Sequence, residues 1–196
     1  MWLIAGLGNP GRRYENTRHN VGFQVIDELQ RRHMQSGFQT KFGGEAVTGL
    51  INNERVLLIK PMEFMNKSGF AIQRASQFHD VSPEEILVIH DELDLPPARL
   101  RLKSGGGHGG NNGLRSIVDQ LGTKDFMRIR LGIGKPLKES GEAGDGSGAN
   151  YVLSAFPANE VSLIDEAIQK AADAAEAILA SGMKAAMNDF NGVSPS

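Results

Sequence analysis

Short apolar runs alternate along this chain with stretches in which apolar residues return every three or four positions. Residues 3–5, 46–51, 55–59, 86–89 and 127–133 are runs of the first kind, rich in Ile, Val and Leu, and predict buried strands. Residues 99–103 alternate charge with Leu and predict a strand exposed on one face. Stretches of the second kind predict helices. The first has Val21, Val25, Ile26 and Leu29, capped by Asn20 and ended near Gly37; the second runs through Phe70, Ile72, Ala75 and Phe78; a third covers 114–121. The longest covers 158–181, with its stripe at Val161, Ile164, Ile168, Ala171, Ala175 and Ile178 and Gly182 as its stop. Asn52-Asn53 joins two strands as a hairpin that Pro61 closes. Ser82-Pro83-Glu84-Glu85, patterned like a capping box, predicts a short helical turn before the strand at 86–89. Strands alternating with helices predict an α/β fold, a single domain over residues 1–196 with a twisted mixed β-sheet flanked by helices.

Composition removes several function classes. No apolar run approaches the roughly 18 residues of a membrane span. The N-terminus has no basic segment ahead of its apolar residues, so a cytoplasmic location is expected. The absence of cysteine excludes disulfides, zinc–thiolate sites and thiol nucleophiles. Net charge is −2, close to neutral for a general nucleic-acid binder, but it is unevenly spread. Residues 99–138 hold nine Lys or Arg against Asp119 and Asp125, whereas residues 139–196 hold two against nine acids. The basic segment suits a phosphate-bearing ligand or is a solvated surface. Residues 135–150, rich in Gly, Ser, Glu and Lys, are expected to form a mobile loop.

Candidate chemistry collects where the predicted strands end. G-x-G-x-x-G at 6–11 follows a strand, but the polar stretch after it has no helical period to bring N–H groups to a pyrophosphate. The glycine-rich stretch 104–113 lacks the G-K-[ST] ending of a P-loop and reads as a flexible loop that touches a phosphate or a backbone. The histidines form no H-x-H or H-E-x-x-H spacing, and there is no G-x-S-x-G elbow. His33 and His79 sit at predicted helix ends and read as surface or capping residues. His79-Asp80 and His90-Asp91 echo metal phosphohydrolase pairs, whose ligands lie on helices, whereas Asp91 ends a strand. What remains is water activated by a histidine. His19 is the candidate base, because an unperturbed imidazole titrates near pH 6.5 and is mostly neutral in a cell. Asp91, at the end of a neighbouring strand, is its natural orienting partner. Asn9, Asn66 and Asn112 are neutral amides placed to hold a carbonyl, a water or a substrate backbone, although Asn is also common in loops and caps.

Five segments in order, GLGNPGRRYENTRHNVG (6–22), KPMEFMNKSG (60–69), HDELD (90–94), GGHGGNNGL (106–114) and AMNDFN (186–191), closely resemble bacterial peptidyl-tRNA hydrolase. The resemblance spans nearly the whole chain. It implies hydrolysis of the ester between a peptide's terminal carboxyl and the 3′ ribose of tRNA, recycling tRNA from stalled or aborted translation, with no metal and no cofactor. By position it makes His19 the general base and Asp91 the acid that orients it. Asn9 joins them as catalytic, Asn66 and Asn112 hold the substrate backbone or the water, and Tyr14 and Met65 line the cleft. Arg101, Lys103, His108 and Arg130 are implied tRNA contacts. The implied partner is peptidyl-tRNA, met through its acceptor end and phosphates, with no membrane and no obligate protein partner; one domain suggests a monomer. Many family members have His directly before the last site Asn, where this chain has Asn111. A non-catalytic RNA-binding module is the alternative from a different class. His19, Asp91 and the three asparagines speak against it, because a pure binder has no use for a base with an orienting acid.

Overall fold

The computed structural model describes residues 1–136 and 148–192. In chain order the strands are β1 (Trp2–Gly6), β2 (Gln39–Lys41), β3 (Gly44–Ile51), β4 (Glu54–Pro61), β5 (Ile86–Glu92), β6 (Leu100–Ser104) and β7 (Met127–Gly132). The helices are α1 (Val21–His33), α2 (Ser68–Phe78), α3 (Asn112–Leu121), α4 (Gly148–Val152), α5 (Ala158–Ser181) and α6 (Met183–Phe190). All seven strands form one sheet in the order β2-β3-β4-β1-β5-β7-β6. The four central strands β4, β1, β5 and β7 run parallel, and β2, β3 and β6 are antiparallel to their neighbours. The expected twisted, helix-flanked mixed sheet is therefore present.

The central strands read as continuous apolar runs because both faces are covered. Alternate residues point to opposite sides. Ile4, Leu87, Ile89, Ile129 and Leu131 pack with Val25, Ile26 and Leu29 of α1 and with Ile164, Ile168, Ala171 and Ile178 of α5. Leu3, Ala5, Ile86 and Val88 pack with Ala71, Ile72 and Ala75 of α2 and with Leu114 and Ile117 of α3. Each fully buried Leu or Ile contributes roughly 1.5–3 kcal/mol by leaving water, so the register of the sheet is strongly specified. Parallel strands place their carboxyl ends along one edge, and the loops after β1, β4 and β5 meet there.

Several local expectations are corrected. Asn20 precedes α1 but gives it no side-chain cap. The helix stops at His33, before Gly37, because Met34 turns extended and is buried in the core. The hairpin strands are longer than expected, and β2 adds a three-residue edge. The short helical turn expected before β5 is present as the 3-10 turn Pro83–Glu85, with no side-chain cap from Ser82 to the backbone. Val161 is 46% exposed, so the buried stripe of α5 begins at Ile164; Phe70 and Phe78 of α2 are exposed as well. Of the loop expected over residues 135–150, residues 137–147 lie outside the described residues, and Gly148–Val152 is the helix α4.

Two polar clusters fasten the outer layer. Arg32 of α1 bonds Glu28 and reaches across to Asp173 (2.7 Å) and Glu176 (3.0 Å) of α5, and His33 Nε2 meets the same Glu176 at 2.7 Å. Beyond α6, the Asn191 amide accepts from Leu102 N (2.6 Å) and donates to Leu102 O (2.8 Å), on the open side of β6.

Candidate active site

Local sterics set the geometry. A Cβ on Gly6 would collide with the carbonyl of Gly22, and one on Gly22 with the carbonyl of Ile89. Glycine at both positions lets α1 lie directly against β1 and β5. The chain leaves β1 through Leu7, whose N–H donates to Ile89 O at 3.0 Å, runs through Asn9, and returns in a 3-10 turn, Arg18–Asn20, above the end of β5. There His19 Nδ1 lies 2.7 Å from Asp91 Oδ2. The His19 side chain is 13% exposed and that of Asp91 2%. Asp91 Oδ1 is buried with no partner among the described residues. A carboxylate accepts up to four bonds, so this one is under-used.

His19 and Asp91 open into a cavity of about 310 Å³ whose walls include Leu93, Asn112, Lys135 and Val152. Lys135 is paired with Asp94 at 2.8 Å. Of the expected site residues, only His19, Asp91 and Asn112 line this cavity. Asn9 is buried and lines a different cavity, with Asn20, Phe23 and Lys60, and its Oδ1 accepts from Met65 N at 2.8 Å, which joins the loop after β1 to the turn before α2. Asn66 is exposed on that turn, and Tyr14 is half-buried on the 3-10 turn Arg12–Tyr14, with the Arg13 guanidinium 4.7 Å from its ring centre. His108 turns back on its own loop, where Nδ1 accepts from Gly110 N at 3.0 Å. Asn111 caps α3, accepting from Leu114 N at 3.0 Å. Among the described residues no group of three His, Cys, Asp or Glu is arranged to hold a metal ion.

Beneath Asp91, His90 is fully buried, with Nδ1 donating to Asp91 O at 2.7 Å. Burial disfavours its charged form and pushes it down to about 4. Burial likewise raises Glu92, against the opposing pull of Arg130, whose guanidinium lies 3.6 Å away.

The expected tRNA contacts occupy a separate place. Leu102 is buried in the core, so its neighbours Arg101 and Lys103 lie on the opposite face of β6. Register sets Arg101 opposite Arg130 and Lys103 opposite Arg128 on β7. Like charges directly across a sheet cost stability, and Arg130 is relieved by Glu92 at 3.6 Å. Arg128 is 1% exposed, donates to the carbonyls of Gly106 and Gly107 (2.6 Å), and so fastens the first half of the glycine-rich loop that was expected to be flexible.

The sequence pattern does not single out four residues. Its local rule makes Asn20 a cap. His90 stands in it only as half of a metal-binding echo. Arg128 cannot be told from Arg130 by alternation. Arg18, 8% exposed, donates to Ser154 and to Ala155 O (2.9 Å) and stacks 4.1 Å over Tyr151, tying the turn that holds His19 to a segment 136 residues away. Only the T-R-H-N cluster itself signalled Arg18 and Asn20.

A family model described as peptidyl-tRNA hydrolase matches residues 3–196. Proteins named peptidyl-tRNA hydrolase from Oceanobacillus iheyensis and Bacillus subtilis are 45% and 44% identical to the chain, each covering 97% of it and 100% and 98% of their own lengths. The crystal structure of peptidyl-tRNA hydrolase from Acinetobacter baumannii superposes with a TM-score of 0.89 at 40% identity, over 100% of this chain and 97% of that one.

Proposed function

The chain belongs to the peptidyl-tRNA hydrolase family, and we propose that it cleaves the peptide–tRNA ester in the cavity at the end of β5, using a water activated by His19. The observation that carries this reading is the 2.7 Å contact of His19 Nδ1 with a buried carboxylate. With Nδ1–H given to Asp91, Nε2 is the nitrogen left to accept a proton from water. The resulting hydroxide attacks the ester carbonyl while Asp91 stabilises the imidazolium, and the imidazolium then returns its proton to the departing ribose oxygen.

The tetrahedral oxyanion needs donors, each worth roughly 3 kcal/mol when preorganised. Asn9 has its Oδ1 committed to Met65 N, so its Nδ2 is the half of the amide left to donate. Asn112, on the cavity wall at the start of α3, is the second amide in reach of the substrate, with Asn66 contacting the peptide from the turn before α2. A site that pairs with a substrate amide discriminates against a free aminoacyl end, whose charged amine leaves those groups unpaired. Arg101, Lys103 and Arg130 hold phosphates of the acceptor arm. The enzyme works as a monomer and returns tRNA from aborted translation.

The test is release of an N-acetylated aminoacyl group from tRNA, against the unblocked form, with wild type and His19→Ala in EDTA. Cleavage of the blocked substrate alone, insensitive to EDTA and lost in the variant, is expected. Tight tRNA binding without cleavage would make the chain a binding module instead.

A further inference from the structure

The residue after the proposed base holds the other site residues in place, and we infer that Asn20 is a positioning residue for this hydrolysis, an inference that rests on the reading of His19 and Asn9 above. Asn20 is 2% exposed. An Asn at a helix start ordinarily gives its oxygen to the helix and gains about 1 kcal/mol by doing so. This one gives nothing to α1. Its Oδ1 accepts from Asn9 N at 2.8 Å and its Nδ2 donates to Asn9 O at 2.9 Å, so one amide grips both backbone polar groups of one residue eleven positions away. Asn9 in turn takes the N–H of Met65, which opens the turn carrying Asn66.

The three loops at the sheet edge, one bearing Asn9, one bearing Asn66 and one bearing His19, are thus linked through two side-chain amides, Asn20 onto the backbone of Asn9 and Asn9 onto Met65 N. A base and an oxyanion donor must be spaced to within a fraction of an ångström, and a 1 Å error can cost on the order of 100-fold in rate. An amide is suited to this task because one end accepts while the other donates. An ionised carboxylate of the same shape accepts from Asn9 N but turns a second oxygen on the Asn9 carbonyl. Once protonated, it can again donate to that carbonyl.

The experiment measures kcat and KM for N-acetylated aminoacyl-tRNA with Asn20→Asp and Asn20→Ser beside His19→Ala, each checked for folding by near-UV circular dichroism. For Asn20→Asp, kcat at neutral pH should fall on the order of 100-fold with KM little changed. The ratio of its kcat to that of wild type should climb as pH is lowered, as the protonated acid restores the lost donor. Asn20→Ser, small and uncharged, should lose less, and its ratio should not move with pH. A residue that only supports the fold would lower the melting temperature and leave kcat per folded molecule unchanged. That result, or an Asn20→Asp ratio indifferent to pH, overturns the inference. If Asn20→Asp does not fold, Asn20→Ser at wild-type kcat overturns it. Activity retained by His19→Ala would instead bring down the reading of the site on which it stands.

Discussion

Among the described residues two histidine–carboxylate pairs have the same length, His19–Asp91 and His33–Glu176, both at 2.7 Å. Distance and chemistry do not separate them; their surroundings do. Glu176 sits in the α1–α5 network, where burial pushes its carboxyl up but His33 and Arg32 hold it on balance below the usual range. Glu28, held chiefly by Arg31, is lowered to about 2 in the same network. Glu176 Oε1 meets both the His33 imidazole and the Arg32 guanidinium, and its side chain is partly open to solvent. Asp91 is more deeply buried, meets one imidazole, and keeps its second oxygen unpaired beside a cavity. One pair shares its carboxylate oxygen with a guanidinium and ties two helices together; the other keeps a buried oxygen unpaired among the described residues, in a residue that lines a cavity. The length of a His–acid contact therefore does not by itself tell a structural tie from a candidate site; the burial and pairing of the remaining polar atoms distinguish the two.

Substitution should separate the pairs sharply. His19→Ala is expected to cost on the order of 10³-fold or more in kcat, within what a positioned general base supplies, and His33→Ala to leave kcat alone; equal losses would break the distinction. Asp91→Asn, which favours the wrong imidazole tautomer, should cost at least on the order of 10²-fold, whereas Glu176→Gln should lower the melting temperature and spare turnover. His90 sharpens the contrast differently, as a histidine kept neutral. Its folded value of about 4 lies below the ordinary 6.5, so the unfolded chain binds the extra proton between those values. Stability it contributes above pH 6.5 should decline as pH falls toward 4, by roughly 3 kcal/mol in all. Urea unfolding at pH 7 and pH 5 should show this slope, and His90→Asn should flatten it. The smallest effect belongs to the basic face. Arg101→Ala and Lys103→Ala should weaken tRNA binding and each reduce its salt slope by about one, leaving kcat intact; an unchanged slope would make the face merely solvated.

What the chain revealed beforehand follows from how local each signal is. Strands β1, β4 and β5 were legible because both of their faces are buried. The bounds of α5 were legible because Gly182, with φ of 86°, ends it. β2 was invisible: its three residues are all exposed and are a strand only by pairing with β3. α6, of eight residues with only Ala186 buried, is too short to show a period. Asn20 was misread because capping is a local rule, and its real partner lies across the site. The pairing of His19 with Asp91 was legible from the loop after β1, the end of β5 and the family resemblance, but the unpaired oxygen of Asp91 and the buried anchorage of Arg18 and Arg128 exist only in three dimensions.

The amide of Asn191 has a consequence away from chemistry. A sheet's last strand is a template on which a strand from another molecule can add. By bonding both backbone groups of Leu102 in the middle of β6, Asn191 takes the place such an intruder would need. Replacing it by Ala would leave His19 and Asp91 untouched while opening that strand to intermolecular pairing. The expected symptom is a concentration-dependent rise in light scattering on storage, a colloidal failure that an activity assay on fresh protein would miss.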